Sequence, residues 1–182
     1  MILSLILIVS LSGLIGFQFY LKKQYRKRFE AIIGPNTSIE AENTGFQESI
    51  STQKNKKSEQ QFISQEVVQL LTEKLAQFEL NKGFLEQNIT IQKVALALNT
   101  NSKYLSKVIN DQKRKTFVHY INDLRINEAV VQLQVHSILR NYTLSSLANE
   151  FGFNSAETFS AAFSKKHKIK PSFFIKALEK QN

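Results

Sequence analysis

The sequence predicts an all-α protein with two helix-turn-helix subdomains joined by a long helix. Three observations predict this fold class: apolar residues recur at helical spacing from Val67 to Leu178, no alternating strand pattern occurs in that range, and one helix-turn-helix pattern occurs twice. A single N-terminal transmembrane helix and a flexible linker are predicted to precede the two subdomains.

Composition excludes several classes of protein. The chain has 182 residues, no cysteine and three scattered histidines, which excludes disulfide frameworks, thiol nucleophiles and cysteine-ligated metals, and leaves no histidine pair spaced for a metal-binding helix. It has no glycine-rich phosphate loop, nucleophile elbow or suitably spaced acid pair, so we expect neither an enzyme nor a cofactor. The net charge of +9 predicts an anionic partner, either nucleic acid or lipid headgroups.

Residues 1–21 contain no charged side chain. As a helix they would be about 31 Å long, close to the thickness of the bilayer hydrocarbon. Five cations follow within residues 22–28, a pattern that favours the cytoplasmic side, whereas a cleaved secretory signal would need charges before the apolar run. We predict a transmembrane helix at 1–21 and a basic juxtamembrane segment at 22–33, hence a single-pass protein of the inner membrane with a cytoplasmic C-terminal domain.

Two features of the anchor remain open. Ser12 and Gly16 form a small-xxx-small pair, a weak indication of a homodimer in the membrane. With Met1 directly before the predicted span, the chain is either only anchored or the back part of a longer sensor.

Residues 34–61 are polar and predict a flexible linker, and residues 62–182 predict one basic domain. Within 67–182 there are sixteen Lys and Arg residues against nine Asp and Glu residues, a net charge of +7. We predict the first helix-turn-helix at about 90–110, a linker helix at about 116–135 and the second helix-turn-helix at about 143–167. Predicted helix N-caps are Thr90, Thr116, Thr143 and Ser155, and Pro171 is expected in the first turn of a last helix.

The two helix-turn-helix units repeat at a fixed offset. Ala95 and Asn99 match Ala148 and Gly152 at an offset of 53, and the apolar residues of the following helix match at 54. The small residue permits a close helix crossing, and the turn residue accepts a left-handed conformation. In such units the second helix can reach base edges in the major groove, so the repeat and the charge together favour DNA binding.

The segment LSSLANEFGFNSAETFSAAFSKKHKIKPSFF, residues 144–174, resembles the second-repeat signature of the AraC/XylS family of bacterial transcription regulators. IQKVALALNTNSKYLSKVI and FVHYINDLRINEAVVQL match the first repeat and the connecting helix of that family. The resemblance covers residues 67–178 and implies seven helices in two subdomains. It also implies that the DNA contacts come from Ser102, Lys103, Ser106, Lys107, Ala156, Glu157, Ser160 and Ala161.

The second repeat departs from the family pattern at several positions. Ala161 stands where members often carry Arg, Lys168 replaces a Gly, Lys170 replaces a capping Ser or Thr, and Ile175 replaces an Arg. We therefore expect the first repeat to carry most of the sequence specificity and the second to grip the DNA backbone through Lys165, Lys166 and Lys168. Phenylalanines of residues 151–174 have helical spacing and are expected in the core.

These patterns predict a membrane-anchored, sequence-specific transcription regulator that binds promoter DNA through two units in successive major grooves. Double-stranded DNA, the membrane and RNA polymerase are its expected partners. The alternative is a basic helical module that associates with membranes and does not read DNA sequence.

Overall fold

The computed structural model describes residues 2–34 and 64–180, with side chains described from residue 17 onward except Phe19. These residues form eight α-helices, two short 3-10 helices and no strand, as the all-α prediction requires. The α-helices are α1 (Ile2–Ile33), α2 (Gln65–Leu80), α3 (Ile91–Ala97), α4 (Ser102–Lys113), α5 (Phe117–Val135), α6 (Leu144–Glu150), α7 (Ala156–His167) and α8 (Pro171–Glu179). The 3-10 helices are Gly83–Leu85 and Ser137–Asn141.

Side-chain caps fix the starts of α2 to α7. Each of the four predicted N-caps accepts a hydrogen bond from the backbone N–H three residues later, which satisfies a donor that the helix leaves unpaired. Asn101 caps α4 in the same way, through a 2.9 Å bond from Tyr104 N. Pro171 occupies the first turn of α8, as predicted.

Two hydrophobic cores share α5. Its first half contributes Phe117, Tyr120 and Ile121 to a core with α2, α3 and α4. Its second half contributes Ile126, Ala129, Val130 and Leu133 to a core with α6, α7 and α8. The 19-residue helix is therefore the element common to both helix-turn-helix units.

The apolar stripe of α2 is narrower than its spacing predicts. Leu71 and Leu75 are buried in the first core, but Val67 and Leu70 are exposed. Leu71 and Leu75 lie one helical turn apart, whereas Leu70 lies about 100° around the helix from Leu71 and faces away from the only core that α2 contacts.

Arg125 joins the two units at the middle of α5. Its side chain is buried, and it donates from Nε to Phe84 O and from Nη2 to Glu86 O, both at 2.7 Å. Its guanidinium lies 5.4 Å from the ring centroid of Phe153 in the second unit. Leu85, between the two acceptor residues, packs against both cores.

The C-terminal end of α1 packs on the second unit. Phe29 is only 4 % exposed, and its ring centroid is 5.5 Å from that of Phe174. Arg28 Nη1 donates to Lys168 O at 2.8 Å. Residues 22–33 were predicted only as a basic juxtamembrane segment, and the apolar face that packs on the second unit was not predicted.

The predicted membrane span and linker fall largely outside the described part of the chain. The backbone of residues 2–21 is helical, but the side chains of residues 2–16 are not described, and neither is any part of residues 35–63. Among the residues that are described, no helix is both long enough and apolar enough to cross a membrane.

We predict that Arg125→Met destabilises the domain by about 3 kcal/mol. The substitution leaves the Phe84 and Glu86 carbonyls without their charged donor, and each such bond contributes roughly 1.5–3 kcal/mol. Urea unfolding of the full chain in mild detergent at neutral pH measures the loss. Arg125→Lys, which keeps the charge and a shorter donor, should lose less, and a Met variant as stable as the parent would contradict this role of Arg125.

We also predict that stability falls between pH 6.5 and pH 4 because of His167. Burial, reinforced by the neighbouring Lys166, lowers the pKa of His167 from 6.5 to about 4, and its ring lies 5.0 Å from that of Phe163. In this pH range the unfolded chain binds a proton that the folded chain does not, so acidification favours unfolding by up to about 3 kcal/mol. The measurement is the free energy of unfolding against pH, and His167→Gln should remove this part of the slope. An unchanged slope in the variant would refute the prediction.

Candidate nucleic-acid interface

The two helix-turn-helix units have the same backbone design. In each, a seven-residue helix is followed by a twelve-residue helix, α3 and α4 in the first unit and α6 and α7 in the second. The turn is closed by matching hydrogen bonds, Thr100 N to Ala95 O at 2.9 Å and Phe153 N to Ala148 O at 2.8 Å. The repeat found in the sequence is therefore a repeat of structure.

The turn residues differ in how strictly they are constrained. Asn99 and Gly152 both have a positive φ, 53° and 76°, which confirms the left-handed turn predicted for Asn99. A Cβ on Gly152 would lie 2.4 Å from Leu85 O and 3.1 Å from Arg125 Nε. Gly152 is therefore required both by its conformation and by the close approach of the two units.

The second helix of each unit, α4 or α7, is followed by a residue with left-handed backbone conformation. These residues are Arg114, with a φ of 53°, and Lys168, with a φ of 58°. At the second of these positions the AraC/XylS pattern has Gly, which adopts this conformation without steric cost. Lys170, where that pattern has a capping Ser or Thr, makes no side-chain cap to α8. Two of the four departures noted in the sequence, Lys168 and Lys170, thus fall on positions that fix the backbone between α7 and α8.

The solvent side of α4 carries the predicted first-unit contacts. Lys103, Ser106 and Lys107 are exposed and Ser102 is half-buried, whereas Leu105, Val108 and Ile109 on the other side are buried. Lys107 Nζ lies 3.3 Å from Asp111 Oδ2, and both side chains are more than half exposed. Such a pair is weak in water, so the Lys107 ammonium is available to a stronger anionic partner.

The equivalent side of α7 carries no cation near its N-terminus. Glu157 and Ala161 are exposed, and Ala156 and Ser160 are half-buried. A hydrogen bond with Ser155 lowers the pKa of Glu157, so this side chain is an ionised acceptor that repels phosphate and pairs only with a donor such as cytosine N4. Phe159, on the opposite side, is fully buried, as expected for a core residue.

The two lysines at the end of α7 contact α5. Lys165 Nζ lies 2.9 Å from His119 Nε2. Lys166 Nζ donates to Asp123 O at 3.1 Å, lies 3.9 Å from Asp123 Oδ1, and has its pKa lowered by burial. Lys165 is exposed enough for a phosphate contact, whereas Lys166 is half-buried and would first have to leave α5. This competition with α5 was not visible in the sequence.

Two lysines near the end of α4, Lys113 within the helix and Lys115 just after it, are also engaged within the chain. Lys113 Nζ lies 3.1 Å from Glu79 Oε1, and Lys115 Nζ lies 2.5 Å from Asp123 Oδ2. Lys107 differs from these two lysines, since its partner Asp111 is on the same helix and more than half exposed.

Comparisons with known proteins bear on the same region. The family described as a helix-turn-helix domain, of AraC type, matches residues 94–177. No curated protein matches the chain.

Solved structures show the fold. The C-terminal domain of AraT, a response regulator from Geobacillus stearothermophilus, is similar at 22% identity and a TM-score of 0.51, over 59% of this chain and 84% of that one. A transcriptional regulator with an AraC-type DNA-binding domain from Chromobacterium violaceum is similar at 18% identity and a TM-score of 0.51, over 65% of this chain and 100% of that one. The DNA-binding domain of AdpA, solved with a target DNA, is similar at 14% identity and a TM-score of 0.52, over 62% of this chain and 95% of that one.

The AraC-type helix-turn-helix family thus matches the part of the chain, residues 94–177, that holds almost all of the duplicated unit.

Proposed function

We propose that the protein is a membrane-anchored, sequence-specific DNA-binding regulator of transcription, which binds promoter DNA through both helix-turn-helix units in successive major grooves. The observation that carries the proposal is that α4 and α7 occupy equivalent places in the two units, each with one face buried and the other turned to solvent. The net charge of +7 in residues 67–182 supports an anionic duplex as the ligand.

The proposal assigns unequal roles to the two units. On α4, Lys103 and Lys107 supply donors, and Lys107 has the reach for guanine O6 and N7. On α7, Glu157 and Ala161 offer one acceptor and no donor. The first unit therefore reads most of the sequence, and the second mainly positions the protein on the duplex.

The membrane anchor rests on the sequence of residues 1–21 and on the helical backbone that runs from Ile2 to Ile33. Cations at 22–28 favour a cytoplasmic DNA-binding domain. The proposed mechanism also includes RNA polymerase as a partner. It further includes a homodimer that forms through the segment containing Ser12 and Gly16. In it, a signal at the membrane changes the orientation of the two units on the promoter.

Lys107→Ala should cost about 1–3 kcal/mol of binding to the selected site and relax the preference at one base pair, if Lys107 reads a base. Site selection from random duplexes, followed by competition binding with the full chain in mild detergent, measures both effects. Lys113→Ala is the matched control, because it removes the same charge from the same helix but from an ammonium paired with Glu79. Equal affinity of the parent chain for every duplex would overturn sequence-specific binding and favour the basic membrane-associated module.

The anchor is tested separately by washing membranes with alkaline carbonate. The full chain should stay with the membranes, and a chain that lacks residues 2–16 but keeps the cations at 22–28 should be released. Release of the full chain would overturn anchoring. Retention of the shortened chain would show that the basic segment alone holds it.

A further inference from the structure

A cleft of about 660 Å3 lies between the end of α1 and α8. None of the predicted DNA-contact residues lines it. The cationic residues that line it are Lys22, Lys23, Arg26, Lys176 and Lys180.

The charge of the cleft is strongly one-sided. Five of its side chains are cationic, three from α1, Lys176 from α8 and Lys180 directly after α8, and the single carboxylate is Glu30. Arg26 Nε already lies 3.4 Å from Glu30 Oε1, so this carboxylate is shared with a cation of its own helix. The cations of the two helices repel each other, and an anion placed between them would turn this repulsion into attraction.

Apolar and backbone contacts hold the two helices together despite this repulsion. The rings of Tyr25 and Phe173 lie 5.4 Å apart, and Phe29 is inserted in the core beside Phe174. Phe173 and Ala177 are half-buried and also form part of the cleft wall. The site therefore combines five cations with an apolar wall. This combination suits a ligand that has an anionic end and a hydrocarbon part.

We propose that this cleft binds the phosphate headgroup of an anionic phospholipid. The inference rests on the proposed membrane anchor, since Lys22 directly follows the uncharged segment 1–21 on the same helix and would lie at headgroup level. Lys176 and Lys180 reach the same cleft from the second helix-turn-helix unit. Lipid binding would thus hold that unit beside the membrane end of α1.

Lysine acetylation followed by mass spectrometry tests the cleft in the full chain inserted into lipid nanodiscs. Adding phosphatidylglycerol to phosphatidylcholine discs should slow acetylation of Lys176 and Lys180 several-fold. Exposed Lys103 and Lys107 on α4 are internal references and should change little. Equal slowing of all four would indicate attraction to a charged surface and would overturn a defined site.

Variants test the same site by binding. Lys176→Gln with Lys180→Gln should reduce retention of fluorescent phosphatidylglycerol several-fold, and Lys103→Gln with Lys107→Gln removes the same charge elsewhere as a matched control. Duplex DNA binding by the Lys176/Lys180 variant checks that the domain is folded. Unchanged lipid retention in a folded variant would refute the proposal.

Two further arms identify the occupant. Inorganic phosphate in phosphatidylcholine discs should protect Lys176 and Lys180 weakly, and protection equal to that by lipid would assign a soluble anion instead. Protection by duplex DNA alone would make the cleft part of the DNA surface. If the chain does not enter discs, the anchor fails. Soluble short-chain phosphatidylglycerol then tests the cleft alone, and no protection by it would overturn the site.

Discussion

The contact of Arg125 with the chain between Phe84 and Glu86 fixes how the two helix-turn-helix units are joined. Each unit has its own core, and α5 is common to both. The shared helix α5 alone would not fix how the segment before α3, which contains Phe84 and Glu86, is oriented relative to α6. Arg125 fixes it with two 2.7 Å bonds to backbone carbonyls, and Gly152 permits the approach because it has no Cβ to collide with Leu85 O. The relative placement of α4 and α7, on which any two-groove binding depends, follows from this joint together with the packing of both cores on α5.

The duplicated backbone carries two different surfaces. The first unit turns Lys103 and Lys107 to solvent from α4, while the corresponding part of α7 presents Glu157 and Ala161. Lysines of α7 do exist, but they lie at its end, where Lys166 binds the Asp123 carbonyl of α5. Equivalent geometry therefore does not give equivalent chemistry, and the two units are expected to divide specificity and positioning between them.

The end of α1 gives the second unit an additional partner. Phe29 lies in the core formed by α5 to α8, and Arg28 binds the carbonyl of Lys168, the left-handed residue that ends α7. A helix that begins in the uncharged N-terminal segment thus ends against the domain that carries the helix-turn-helix repeat. Movement of α1 would act directly on α7 and α8, because its end contacts both Lys168 and Phe174.

The sequence by itself determined the helices, their caps and the repeat, because these depend on local chemistry. Thr90, Thr116, Thr143 and Ser155 cap the predicted helices, and Asn99 takes the expected left-handed turn. The candidate DNA contacts came from the same local register and from resemblance. Only the tertiary structure decided which of these cations are engaged elsewhere and which faces are partnered. Three such contacts are the pairing of Lys166 with Asp123, the two hydrogen bonds that Arg125 donates to Phe84 and Glu86, and the packing of Phe29 against Phe174. They join residues about 40 to 145 positions apart in the sequence. No periodicity encodes such contacts, since they arise only when separate helices pack.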